Sequence, residues 1–277
     1  MTGISRSGRV SCLQMETRNM KVLGVGSDPE FFIQDRGGEI IPSRGIIPGT
    51  KKKPRPLVWG AVHRDNVCCE LNPLPGMSEA EFSDNFENLK EEVEDKLLRP
   101  RRMSLVAKTS HEFTREQLSY REAMEFGCDE DFTIWNRIQP PVVRDPYSLI
   151  RSTGGHIHIA IKGMGRKDLA TVISRLDVLI SVPLVLLDPD TLRRQSYGKA
   201  GCYRIKPYGI EYRTPSNVWC TSDKLRRWVY RQVVLAVEHE LAWHLTEEAS
   251  RVMVSCINDS DQGKARVLCD MFSLEVP

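Results

Sequence analysis

Four short runs of this chain place two functional polar side chains two residues apart among apolar neighbours, a spacing that suits a β-strand and little else. They are Asp28-Pro29-Glu30 before Phe31-Phe32, Glu70-Leu71-Asn72, His156-Ile157-His158 after Gly154-Gly155, and Glu211-Tyr212-Arg213 after Ile210. In a strand, residues i and i+2 share a face, so each polar pair points one way while the residues between them turn the other. Asp28 and Glu30 held side by side would repel unless a cation lay between them. Magnesium suits such an oxygen-rich site. Because Asp-Pro also opens turns, a turn is the alternative there. His156 and His158 suit a metal, although zinc would want a further nitrogen or sulfur ligand. Two hydrogen-bonded histidines on a sheet surface are the plain alternative. Glu211 and Arg213 also fit an ordinary salt bridge.

The rest of the chain supplies a setting for such strands. Strand-like runs cover 22–25, 30–34, 67–72, 103–108, 155–161 and 210–214. Helical patterns cover 78–98, 167–187 and 223–244, with shorter ones starting at Thr114 and covering 262–272. Ser78 with Glu81, and Thr114 with Gln117, have capping-box spacing; Pro100 stops the first helix and Ser222 caps the third. Strands and helices alternate irregularly, which predicts an α+β fold with a largely antiparallel sheet and helices packed on one side. Tyr197, Lys199, Tyr203, Arg204 and Lys206 lie among Gly198, Gly201 and Gly209. That basic, aromatic segment suits a nucleotide's phosphates, and equally a surface loop.

Composition excludes several classes. A net charge of +2 is too small for a nucleic-acid footprint, and the basic runs at 51–55 and 99–102 are expected to be solvated loops. The eight cysteines form no CxxC pair and include the adjacent Cys68 and Cys69, which argues against zinc chelation or a disulfide framework. Residues 1–20 read as a disordered extension without the apolar core of a secretory signal, followed by one domain over 21–277. A reducing cytoplasm is therefore expected. The apolar stretch 169–187 contains Arg175, Asp177 and Pro183, so it predicts a buried helix and no membrane partner.

In order and content, these elements resemble the glutamine synthetase-like superfamily of carboxylate–amine ligases, which includes glutamate–cysteine ligase. The wording from Gly26-Ser27-Asp28-Pro29-Glu30 through Thr153-Gly154-Gly155-His156-Ile157-His158 and Tyr197-Gly198-Lys199-Ala200-Gly201 to Pro207-Tyr208-Gly209-Ile210-Glu211-Tyr212-Arg213 is similar to the phage-encoded COOH–NH2 ligase type 2 group. The similarity spans about residues 22–220. It implies a curved antiparallel sheet forming a funnel, with helices on its outer face, ATP entering one end and the amine and carboxylate the other. It further implies Mg2+ or Mn2+ ions on inward-facing strand residues. Asp28, His156 and Glu211 would hold the ion bridging ATP's terminal phosphates, and Glu30 and Glu70 the ion facing the carboxylate. His158 would lie near the phosphates, Lys199 in the nucleotide segment, and Arg213 on the phosphoryl group in flight, with Arg204 or Lys206 beside it. Glu30, Glu211 and Arg213 would be the catalytic groups. Two departures stand out: Asp28 replaces the usual Glu, and Asp65, the nearest further carboxylate, has the wrong parity to join Glu70 in one strand.

The implied reaction moves ATP's γ-phosphoryl group to a carboxylate, and an amine then attacks the acyl phosphate. Metals and arginine would cancel the phosphoryl charge. The substrates would be small-molecule or peptide carboxylates and amines, with a modified nucleobase left open. So is assembly into a homo-oligomer, frequent among related enzymes. Three rivals remain: a guanidino-kinase-like phosphotransferase, a divalent-metal hydrolase built on His156 and His158, and a non-catalytic phage binding protein on a ligase scaffold.

Overall fold

Alternation along the chain becomes three antiparallel sheets, one of them curled into a half-barrel. The computed structural model describes residues 20–124, 132–137, 145 and 147–277; residues 1–19, with Cys12, and Cys128 lie outside them. Strands β1 (Lys21–Ser27) and β2 (Glu30–Gln34) follow one another with only Asp28-Pro29 between them. Next come β3 (Ile40–Ile41), β4 (Arg55–Leu57), β5 (Gly60–Asp65) and β6 (Cys68–Pro73). The remaining strands are β7 (Ser104–Val106), β8 (Ser110–Glu112), β9 (Phe132–Thr133), β10 (Ile150–Ser152), β11 (Ile157–Lys162), β12 (Cys202–Lys206) and β13 (Gly209–Tyr212). One sheet runs β1-β11-β13-β12-β9 and another β3-β2-β6-β5-β4, with β7 also on β2; β8 and β10 form a separate pair.

The two larger sheets meet at Asp28-Pro29. Glu30 N donates to Gly154 O at 2.9 Å, and Leu71 N donates to Pro29 O at 3.0 Å. The chain therefore passes from one sheet into the other without a turn, consistent with the extended backbone favoured before proline. Gly155 lies against Ser216: a Cβ there would come within 2.2 Å of the Ser216 carbonyl. At Gly209 φ is +150°, and a Cβ would meet Ile159 O at 2.2 Å, so the β12–β13 hairpin closes onto β11 only with glycine.

Helices cover the other side of this frame. In α1 (Glu79–Val93), Ser78 Oγ accepts from Glu81 N and the Glu81 carboxylate accepts from Met77 N. Its Phe82, Phe86, Leu89 and Val93 share a core with Val25, Phe31, Ile157 and Ile210 of the strands. The 99–101 turn, with Pro100, ends this helical run. Turn α2 (Arg121–Met124) follows β8. The apolar 169–187 stretch is helical as expected: α3 (Asp168–Leu176), a π turn over Asp177–Ser181, then α4 (Val182–Val185). Pro183 falls in the first turn of α4, where its missing N–H costs little. Helix α6 (Asp223–Glu238) starts at the Ser222 cap but ends six residues before the expected 244, where Arg175 takes the carbonyls of Ala236 and His239. The capping box at Thr114 and Gln117 forms both hydrogen bonds but closes only a turn. Helices α5 (Thr191–Ser196) and α7 (Glu247–Asn258) were not expected, whereas α8 (Gln262–Phe272) was. Helices α7 and α8 pack on α4 around Met253, Ile257 and Leu268. Among the described residues, no helix is long and apolar enough to cross a membrane, and Cys68, Cys69, Cys202, Cys220, Cys256 and Cys269 are buried.

Candidate active site

Strand register gathers the polar pairs into two neighbouring clusters. On β11 and β13, His158 stands opposite Glu211, and on β12 and β13, Arg204 stands opposite Glu211. Asp28, at the sheet junction, places Oδ1 3.0 Å from His156 Nδ1 and Oδ2 3.1 Å from His158 Nε2. Ligating atoms of Asp28, His158 and Glu211 all lie within 4.8 Å of one another. On the second sheet Glu30 faces Glu70 directly across β2 and β6, and ligating atoms of Glu30, Asp65 and Glu70 fall within the same 4.8 Å limit.

These groupings differ from the expected ones in three ways. Pro29 sits where the chain changes sheets, so Asp28 and Glu30 do not share one strand face as their spacing suggests, although they fall in separate clusters as the resemblance implies. His158, expected near the phosphates, stands with Asp28 and Glu211. His156 lies 3.7 Å from Glu211 Oε1 but also binds Tyr197's hydroxyl through Nε2, so both its ring nitrogens are engaged within the protein. Asp65 joins Glu70 after all. A two-residue turn at Asn66-Val67 reverses the chain, pairing Asp65 with Cys68 and His63 with Glu70, so the antiparallel register brings Asp65 and Glu70 to one face. Counting parity along a single strand could not find it.

Electrostatics separates the clusters. Glu211 accepts from Arg213 Nη1, meets Lys206 Nζ at 2.6 Å, and has Arg204 Nη1 at 3.9 Å. Burial and Asp28 raise its carboxyl, but His156, Arg213 and Lys206 outweigh them and hold it down at about 2. Arg213 is 2 % exposed and also donates to Tyr197's hydroxyl at 3.2 Å. Tyr208's hydroxyl hydrogen-bonds His158 Nδ1. Lys199 fixes backbone instead: its carbonyl accepts from Thr214 Oγ1, and its ammonium pairs with none of these groups.

The second cluster is short of positive charge. Burial, Asp65 and Asp28 push Glu30 up to about 8, against the opposing hydrogen bond from Gly154 N. Burial and the neighbouring carboxylates likewise raise Glu70 well above its ordinary value. Among the described residues, the ammonium in contact is that of Lys51, from a run expected to be a solvated loop; its Nζ is 3.0 Å from Asp65 Oδ2 and its side chain is 51 % exposed.

Both clusters suit a divalent cation. Opposite ligands around an octahedral ion of magnesium's size stand about 4.2 Å apart, and the ligating atoms of each cluster lie within 4.8 Å of one another. In the second cluster, buried carboxylates driven toward protonation are the groups a cation would keep ionised, whereas the neighbouring histidines and Arg213 already hold the carboxylates of the first ionised. Both clusters reach one cavity of about 660 Å³, through Asp28 and His158 from the first and Glu70 from the second. Lys51 and Tyr208 line it as well, and Leu23, Pro73, Pro75 and Met77 form its apolar wall.

Two consequences can be measured. Lys51→Met should tighten divalent-ion binding on the order of tenfold, because an ammonium beside the carboxylates repels the ion; isothermal titration with Mn2+ checks it. The raised Glu30 also sets a pH dependence in metal-free protein. Below about pH 4.5 folded and unfolded chains both hold this proton. Between about 4.5 and 8 only the folded chain does, so this stabilisation fades as pH rises and is gone above about 8. The melting temperature of metal-free protein should fall relative to Glu30→Gln across that window.

Residues 146–269 match the family model described as Phage phiEco32-like COOH.NH2 ligase-type 2. That name denotes a carboxylate–amine ligase. The matched stretch carries His156, His158, Lys199, Arg204, Lys206, Glu211 and Arg213; Asp28, Glu30, Lys51, Asp65 and Glu70 precede it and join the site through the fold alone. No curated protein matches the chain.

Proposed function

We propose that this chain, whose residues 146–269 match the phage COOH–NH2 ligase type 2 family model, is an ATP- and magnesium-dependent enzyme of that family that forms an amide through an acyl phosphate, releasing ADP and phosphate. The observation that carries this reading is that two neighbouring acidic clusters open onto one cavity, through Asp28 and His158 and through Glu70, with Arg213 buried behind the first cluster against Glu211. Asp28, His158 and Glu211 would hold one divalent ion, with His156 behind them, and Glu30, Asp65 and Glu70 the other. When bound, such ions would cancel phosphate charge and let an anionic carboxylate approach ATP.

The chain's own groups do the rest. Arg213, steered by Glu211 and Tyr197, offers a planar fork to the equatorial oxygens of the transferred phosphoryl group. Lys206 and Arg204, on the neighbouring strand, add positive charge on the same side. Gly154 N holds the Glu30 carboxylate in place by its 2.8 Å hydrogen bond, so that ligand need not reorganise during reaction. The apolar wall of Leu23, Pro73, Pro75 and Met77 would limit water around the acyl phosphate, favouring the amine as nucleophile.

ATP consumption screened against pooled amines and carboxylates, with mass spectrometry of the products, tests the proposal. An amide formed together with ADP supports it. A phosphorylated amine formed without any carboxylate would identify a phosphotransferase instead, and no ATP consumption under any combination would count against an enzyme of this type.

A further inference from the structure

The β5 strand repeats the i, i+2 spacing of the four polar runs in His63-Arg64-Asp65, with a charged residue between the pair. His63 and Asp65 share the face that carries Glu70, and His63 stands directly opposite Glu70 in the register. His63 is 2 % exposed and lines the cavity. Its Nε2 lies 3.5 Å from Glu70 Oε1, yet neither ring nitrogen makes a hydrogen bond within the protein. Buried polar side chains nearly always have a partner, and one that lacks it beside a carboxylate cluster is suited to an ion. Histidine on a strand, two residues from a carboxylate ligand, is also a natural donor to a shared ion.

We infer that His63 supplies a nitrogen ligand to the ion held by Glu30, Asp65 and Glu70, and that this site prefers Mn2+ to Mg2+. The inference rests on the two-ion reading of the proposed function and adds to it the chemistry of one site. Three carboxylates alone would suit Mg2+; replacing an oxygen donor by imidazole favours ions higher in the transition-metal affinity order, because Mg2+ binds nitrogen weakly. Position supports the assignment independently of charge, since His63 approaches Glu70 from the strand next to β6 and on the cavity side.

The experiment is Mn2+ titration followed by the electron spin resonance of free Mn2+, with Mg2+ as competitor, on unaltered protein, His63→Gln and His63→Asn. Unaltered protein should bind two Mn2+. In the variants one of the two should weaken by about 10–100-fold, while Mg2+ affinity at that site changes less than threefold. Equal weakening for Mn2+ and Mg2+, or no weakening, overturns the inference. Fewer than two bound Mn2+ in unaltered protein would instead sink the two-ion reading beneath it. A measurement that needs no variant uses ¹¹³Cd2+ as a stand-in on protein carrying ¹⁵N-histidine. Two cadmium resonances, each coupled to a histidine nitrogen, support the role of His63; one resonance without such coupling excludes it.

Discussion

Glu30→Gln should abolish ATP-dependent turnover, by on the order of 10³-fold or more, in a protein that still folds. The amide keeps the shape of the side chain and can still accept the 2.8 Å hydrogen bond from Gly154 N. What it loses is negative charge at the centre of the second cluster, opposite Glu70. In the metal-free protein the substitution should even be stabilising above about pH 5, because Glu30 must take up a proton on folding and glutamine need not. Lost activity with retained or increased stability would separate a ligand role from a structural one. Assays of turnover and thermal melting on the same preparations make the comparison, and full activity in Glu30→Gln would remove Glu30 from the mechanism.

Arg213→Lys should reduce turnover nearly as strongly, by about 10²–10³-fold. Arg213 is nearly fully buried, and its guanidinium donates to both the Glu211 carboxylate and Tyr197's hydroxyl. A lysine preserves the charge, so Glu211 is not abandoned, but one ammonium cannot span that fork. The effect should fall on kcat more than on the KM for ATP, as expected of a contact made mainly in the transition state. A variant with normal kcat and raised KM would make Arg213 a ground-state binding group.

The sequence carries the faces of individual strands well and their partners poorly. His156-Ile157-His158 and Glu211-Tyr212-Arg213 fall on β11 and β13 or at their ends, because alternation of apolar and polar residues is local information. Which strand lies next to which is not local. Asp65 looked misplaced until the Asn66-Val67 turn set it opposite Cys68, and His63 escaped notice although it shows the same i, i+2 spacing. Lys51 looked like one of several loop lysines, and only the fold brings it to Asp65. Alternation alone puts Asp28 and Glu30 on one face, yet the chain changes sheets between them. Helical capping was legible at Ser78 and Ser222, but a cap alone does not make a helix. At Thr114 the hydrogen bonds form and the chain turns away, since no continuous apolar face follows for a helix to bury.

The central claim is that two divalent ions sit side by side in this cavity against ATP. Crystals grown with Mn2+ and a non-hydrolysable ATP analogue, measured at the manganese absorption edge, test it most directly. Two anomalous peaks are expected, one within ligand distance of Asp28, His158 and Glu211 and one within reach of Glu30, Asp65 and Glu70, with the analogue's terminal phosphates touching the first. A nucleotide bound elsewhere, or clusters that hold no manganese while the analogue occupies the cavity, would contradict the account.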